Sequence, residues 1–186
     1  HFSEGKKEEF VIEVVAAVRH IVFWSVAATS LFIVLRAQVV RSILGSGAFD
    51  WSDTRLTAAA LVLFVVSVVF QSLTLLFIRS YYAAKKTLKP LLVVLFSGVV
   101  TIVLARFLVS FMEQYPGIQE YLENVLRVNN AGETAVLALV FAYSLGVTIN
   151  GVLLWFFFGR DFGGTWVHVR RTVVESLLGA IVIGFV

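Results

Sequence analysis

The sequence predicts an all-α, polytopic transmembrane helix bundle, and three observations lead to that fold class. Hydrophobic residues make up 59% of the 186 positions and charged residues only 15%, whereas a soluble domain is about half apolar and a quarter charged. The apolar residues are gathered into five long stretches. Polar and apolar residues do not alternate within them, which argues against membrane β-strands. Membrane-spanning helices are therefore expected.

Each stretch is long enough to cross a membrane, because about 20 apolar residues in a helix span the hydrocarbon layer. Between the third and fourth stretches, residues 117–128 have apolar side chains at helical spacing, which predicts a short amphipathic helix on the membrane surface. We expect one bundle over residues 1–186 and interpret it as a segment of a longer membrane protein. The predicted spans are 11–44, 55–83, 88–112, 133–158 and 165–186.

Basic residues are distributed unequally between the two sides of the membrane that alternate connections would occupy. Cytoplasmic loops of membrane proteins are enriched in Lys and Arg, so the richer side, which includes the N-terminus, is expected to be cytoplasmic. The richer side has Lys6, Lys7, Arg79, Lys85, Lys86, Lys89, Arg160, Arg170 and Arg171, and the other has Arg41, Arg55 and Arg127.

The sequence contains no pattern typical of an enzyme or a metal site. It has no cysteine, and none of its three histidines has a second ligand at a metal-binding spacing. No nucleophile motif or phosphate-binding loop is present either. We therefore predict no catalytic residue, no metal, no cofactor and no nucleic-acid partner.

Polar residues inside the predicted spans are the better candidates for function, because they are costly in lipid and usually face a bundle interior or an aqueous cavity. Arg19, Asn150 and Glu175 are candidates for a substrate cavity. Each has a structural alternative: Arg19 at the membrane interface, Asn150 in an interhelical hydrogen bond, and Glu175 in an i,i+4 pair with Arg171. Arg79 is expected to anchor one helix end through carbonyl groups or lipid phosphate.

Several motifs, in order along nearly the whole chain, resemble those of MurJ/MviN-type lipid II flippases. The segment FSEGKKEEF resembles the cytoplasmic hairpin that precedes a membrane helix in that family, and NGVLLW from Asn150 is similar to its N-x-x-LL helix end. The family's outer connection is matched by Gly47, Ala48, Phe49, Asp53, Thr54 and Thr57. Its cytoplasmic R-x-FYA…P turn is matched by Arg79, Tyr82, Ala83, Thr87 and Pro90.

The resemblance implies helices nine to thirteen of a fourteen-helix transporter of the MATE-like multidrug/oligosaccharidyl-lipid/polysaccharide flippase superfamily. It implies translocation of undecaprenyl-diphosphate-linked peptidoglycan precursor (lipid II) across the bacterial inner membrane by alternating access. The partners would be this lipid-linked sugar diphosphate, membrane lipids and the missing N-terminal half of the chain, and the diphosphate-binding arginines would lie outside this segment. The alternatives are a flippase for another lipid-linked polysaccharide, a non-transporting scaffold of the same fold and, least favoured, an ion-coupled drug exporter.

Overall fold

Every regular element in the described part of the chain is a helix. The computed structural model describes residues 4–45, 51–114, 117 and 131–163. The helices are α1 (Glu4–Val34), α2 (Arg36–Leu44), α3 (Trp51–Ala83), α4 (Leu88–Gln114) and α5 (Ala131–Phe162). The all-α prediction is confirmed. The fifth predicted span, 165–186, lies outside the described residues, as does the loop helix at 117–128 apart from Gly117.

Four of these helices are long and apolar enough to cross a membrane, which confirms the transmembrane prediction for this part of the chain. The apolar spans are Glu8–Val34, Asp53–Ala83, Leu88–Phe111 and Val136–Phe162. Much of their outward surface is apolar, as a lipid environment requires. On α4, for example, Leu92, Val99, Ile102 and Phe107 are each more than half exposed.

The stretch that the sequence predicts as one helix over residues 11–44 is divided at Leu35. Leu35 has φ −88° and ψ 6°, which departs from helical geometry. The hydrogen-bond ladder continues on both sides, because Leu35 N–H donates to Leu31 O and Val39 N–H donates to Leu35 O, each over 2.9 Å. The result is a local break between two helices that remain joined end to end.

Helix α5 lies between α3 and α4, and its contacts with them are the two most extensive helix–helix interfaces in the described bundle. It runs parallel to α3: Ser144 contacts Leu63 near one end, and Phe158 contacts Phe77 near the other. It runs antiparallel to α4, since Lys89 at the start of α4 binds Asp161 at the end of α5. Helices α1 and α2 pack against α3.

Two glycines bring the backbone of α5 close to its neighbours. A Cβ atom added to Gly146 would lie 1.8 Å from Thr101 Oγ1 on α4, and one added to Gly151 would lie 3.1 Å from Phe70 O on α3. Small residues permit this kind of close approach between membrane helices, where van der Waals packing replaces the hydrophobic effect as the cohesive force. The sequence therefore fixes α5 tightly between its two neighbours.

A cluster of buried apolar side chains joins the helices at the end of the bundle where α3 and α5 finish. Side chains at i, i+4 spacing place one face of α1 against α3. Tyr81, Phe77 and Phe158 have no exposed surface. The cluster contains Val14, Val18 and Val22 of α1, Leu73, Phe77 and Tyr81 of α3, Val93 of α4, and Leu154 and Phe158 of α5.

A tight turn connects α3 to α4. Lys86 N–H donates to Tyr81 O over 2.9 Å and Lys85 N–H donates to Tyr82 O over 3.0 Å, the hydrogen-bond pattern of a Schellman motif. Lys85 has φ 58°, in the left-handed region that usually favours glycine. The turn reverses the chain and positions Lys86 and Lys89 beside the end of α5.

Candidate functional site: a polar cluster at one end of the bundle

Three helix ends meet on one side of the described bundle and bring charged and aromatic side chains together. Parallel α3 and α5 both finish there, and antiparallel α4 begins there. Tyr81 comes from the last turn of α3, Lys86 from the turn after it, Lys89 from the first turn of α4, and Asp161 with Phe162 from the last turn of α5. We call these five residues the Asp161 cluster.

The carboxylate of Asp161 is the centre of this cluster. Lys89 Nζ donates to Asp161 Oδ1 over 2.5 Å and to Oδ2 over 2.6 Å, and the Tyr81 hydroxyl donates to Oδ2 over 3.1 Å. The Asp161 side chain is only 14% exposed, whereas that of Lys89 is 48% exposed. One carboxylate therefore joins α3, α4 and α5 through charge-assisted hydrogen bonds, which are stronger than neutral ones.

Aromatic rings pack around Tyr81, whose hydroxyl binds the carboxylate. The rings of Phe158 and Phe162 stack with centroids 4.7 Å apart, and Tyr81 lies edge-on to Phe158 at 5.8 Å. Phe10 of α1 contacts both phenylalanines. Lys86 Nζ lies 4.9 Å from the centroid of the Phe162 ring, within the range of a cation–π interaction. The aromatic residues thus connect α1 to α5, and α5 to α3, beside the carboxylate that joins α3, α4 and α5.

This arrangement is suited to holding helices together rather than to reacting with a substrate. Tyr81 and Lys89 satisfy both oxygens of Asp161. Within the described ranges, no group of three His, Cys, Asp or Glu side chains is placed to hold a metal ion. What the cluster can do is fix the relative positions of three membrane-spanning helices at one membrane surface.

The comparisons with known proteins decide the family. The family model described as lipid II flippase MurJ matches residues 1–186. The chain belongs to the MurJ lipid II flippase family. No curated protein and no solved structure matches it.

Membership in the MurJ family agrees with the four apolar helices of the structure. The chain is a multi-pass membrane protein of a lipid flippase family that serves peptidoglycan transport. The family is one of transporters and not of enzymes, and it implies a lipid-linked substrate handled within a lipid bilayer. The resemblance in the sequence motifs is thereby confirmed.

The structure places the two predicted arginines of this MurJ-family chain on exposed surfaces. Arg19 lies on α1, on the side away from the Val14, Val18 and Val22 face that packs on α3. Arg79 lies in the last turns of α3, and it has no hydrogen bond or ion pair to another described residue. Three carbonyls at this helix end, those of residues 80–82, accept backbone N–H groups of the turn that follows.

Asn150 is half-buried on α5, and it lies one turn from Gly146, which faces Thr101 of α4. Its Oδ1 atom is buried and has no hydrogen-bond partner within the described residues. Arg19 and Asn150 are not brought together, since α1 packs on α3 while Asn150 faces α4. Glu175 lies outside the described residues.

The sequence alone does not reveal the Asp161 cluster. In it, Lys86 and Lys89 stand out only as basic loop residues, and no motif marks Tyr81 or Asp161. A weak signal is present: Asp161 is an acidic residue where the other charges at the adjoining ends of α3, α4 and α5 are basic, and a carboxylate at such a place needs a cationic partner. The sequence does not show which lysine that is, because this depends on the register of α4 against α5.

Proposed function

We propose that this chain supplies the ninth to thirteenth helices of a flippase that moves undecaprenyl-diphosphate-linked lipid II across the bacterial inner membrane. The observation that carries the proposal is the match of the lipid II flippase family over residues 1–186, together with four helices that can cross a membrane. The remainder of the transporter, including an N-terminal half, would complete the substrate cavity. Transport would proceed by alternating access, in which two groups of helices move against each other around a shared site.

The packing of the described helices supports a specific role in that motion. Asp161 joins α3, α4 and α5 at one end, and Gly146 and Gly151 allow close contact along their length. Helices packed at such contacts resist continuous deformation, so domain motions occur between such packed units rather than inside them. We infer that α3, α4 and α5 move as one rigid body within the flippase.

The orientation in the membrane follows from the basic residues. We infer that the Asp161 cluster faces the cytoplasm, because Arg79, Lys85, Lys86 and Arg160 are all exposed at the same end of the bundle. Arg79 would interact there with lipid phosphate. Arg19, Asn150 and Glu175 remain our proposed cavity residues. Oδ1 of Asn150 is buried and has no hydrogen-bond partner within the described residues.

The function is tested with a full-length flippase that carries this segment, expressed in cells depleted of their own lipid II flippase. We expect growth to be restored and the protein to move lipid II in reconstituted vesicles. A loss-of-function comparison is Asp161→Lys in the same protein. It breaks the contacts that join α3, α4 and α5, so it should lower both growth and lipid II movement. A protein that inserts in the membrane, fails with lipid II and moves another lipid-linked polysaccharide would contradict the substrate assignment.

The orientation is tested by cysteine labelling, which is simple because residues 1–186 contain no cysteine. An impermeant thiol reagent added to intact cells should label Gly47→Cys or Asn124→Cys and should not label Lys86→Cys. All three should be labelled once the cells are opened. Labelling of Lys86→Cys in intact cells would reverse the topology and leave the family assignment unaffected.

A further inference from the structure

The interface between α4 and α5 contains polar atoms that lack hydrogen-bond partners. Ser97 is 3% exposed, and neither its Oγ atom nor Oδ1 of Asn150 has a partner in the described structure. Three other hydroxyl groups on these helices have backbone partners. Thr101 donates to Ser97 O over 2.7 Å and Thr148 to Ser144 O over 2.8 Å, both within one helix turn, and Ser144 donates to Leu63 O of α3 over 2.9 Å. The Ser97 hydroxyl differs from these three, because it has no partner among the described residues.

The register of the two helices places these atoms at the same level. Thr101 of α4 lies against Gly146 of α5, and the helices are antiparallel. One turn towards the Asp161 cluster from this contact are Ser97 on α4 and Asn150 on α5. The buried face of α4 contains Pro90, Val93 and Ser97, so the Ser97 hydroxyl lies in the interface and not towards lipid.

The two groups are chemically complementary but are not bonded to each other. A serine hydroxyl can donate and accept, and an amide oxygen accepts. Lipid offers neither function, so a buried polar atom at this depth must find its partner inside the protein. A bound water molecule is one partner that can satisfy both groups, since buried waters make two to four hydrogen bonds to polar groups.

We propose that one water molecule is bound between α4 and α5 and bridges Ser97 Oγ and Asn150 Oδ1. The water donates one proton to Asn150 Oδ1 and accepts the proton of the Ser97 hydroxyl. Its second proton is available to a backbone carbonyl of the same interface, since helical carbonyl oxygens have a second lone pair. Ser97 and Asn150 would then contact each other through water, one helix turn from the direct van der Waals contact of Thr101 with Gly146.

The first test is a structure of the full-length flippase at a resolution that shows ordered water. We expect a density peak within hydrogen-bonding distance of both Ser97 Oγ and Asn150 Oδ1, and we expect it to be absent or displaced in Ser97→Ala. A direct bond between the two side chains, or an interface without a peak, would overturn the proposal.

The second test is a double-mutant cycle on thermal unfolding in detergent. Ser97→Ala and Asn150→Leu should each lower the unfolding temperature, and the double variant should be no less stable than Asn150→Leu alone, because the shared water is lost once. The matched control pairs Ser97→Ala with Thr148→Val, whose hydroxyl has its own partner, Ser144 O. Those two changes should be additive. Additivity of Ser97→Ala with Asn150→Leu would show that no bridge joins them.

Discussion

Replacement of Gly146 by alanine should destabilise the bundle, although alanine is the better helix former. The added Cβ would lie 1.8 Å from Oγ1, 2.9 Å from Cβ and 3.1 Å from Cγ2 of Thr101. Rotation of Thr101 about χ1 can move Oγ1 away, but Thr101 Cβ stays at 2.9 Å, closer than Cβ atoms approach in real structures. The helices must therefore separate, at a cost of ~1–3 kcal/mol for overpacking, which exceeds the ~1 kcal/mol gained in helix propensity.

The assay is thermal unfolding of the full-length flippase in detergent, followed by tryptophan fluorescence. Gly98→Ala is the matched control, because nothing lies within 4 Å of the Cβ it would add. It should be neutral or slightly stabilising. Thr101→Ala should partly restore the stability of Gly146→Ala by removing two of the three contacting atoms. If Gly146→Ala unfolds at the same temperature as Gly98→Ala or above it, the close packing of α4 on α5 is refuted.

Three further predictions concern the helix ends and the segment as a whole. Lys89→Ala should lower stability by about 1–3 kcal/mol, measured by denaturation in detergent, because Asp161 loses its charged partner. Adding Asp161→Asn to Lys89→Ala should recover part of the lost stability, because the unpaired charge is removed. If Lys89→Ala alone is as stable as the unmodified protein, the ion pair contributes nothing to stability. Arg79→Glu should reduce folded yield or transport, since a cation at a helix C-terminus contributes ~0.3–1 kcal/mol. Arg79→Lys keeps the positive charge and should reduce neither. If the two variants give the same yield and transport, Arg79 is an ordinary surface charge. Residues 1–186 expressed alone should insert but transport nothing, because alternating access needs two moving groups of helices, and growth of flippase-depleted cells on this segment would contradict our assignment.

The helices were predictable from the sequence because lipid imposes a simple composition on whatever crosses it. About 20 apolar residues in sequence suffice to identify a span, so α3, α4 and α5 follow directly from their residues. The break at Leu35 was not predictable, since neither proline nor glycine marks it and Leu35 is an ordinary helix residue. The break is known only from the three-dimensional structure, in which both α1 and α2 pack against α3.

The candidate site was less predictable because it depends on which helix faces which. Charge alone pointed to Arg19 and Arg79, which lie on exposed surfaces. The residues that do join helices, Lys89 and Asp161, are far apart in the sequence and meet only through the antiparallel register of α4 and α5. Asn150 was identified from its polarity within an apolar stretch, but its neighbour Ser97 was not, since a single serine is common in membrane helices.

The placement of α5 between α3 and α4 has a consequence for biogenesis. Helices α3 and α4 are joined by a tight turn and leave the ribosome one after the other, yet the buried face of α4 packs on α5, which is synthesised later. Until α5 arrives, the Thr101 hydroxyl keeps its bond to Ser97 O within its own helix, whereas the Ser97 hydroxyl is presented to the surrounding lipid or to the insertion machinery. The hairpin of α3 and α4 is therefore an incomplete intermediate, and its final packing waits for the translation of α5.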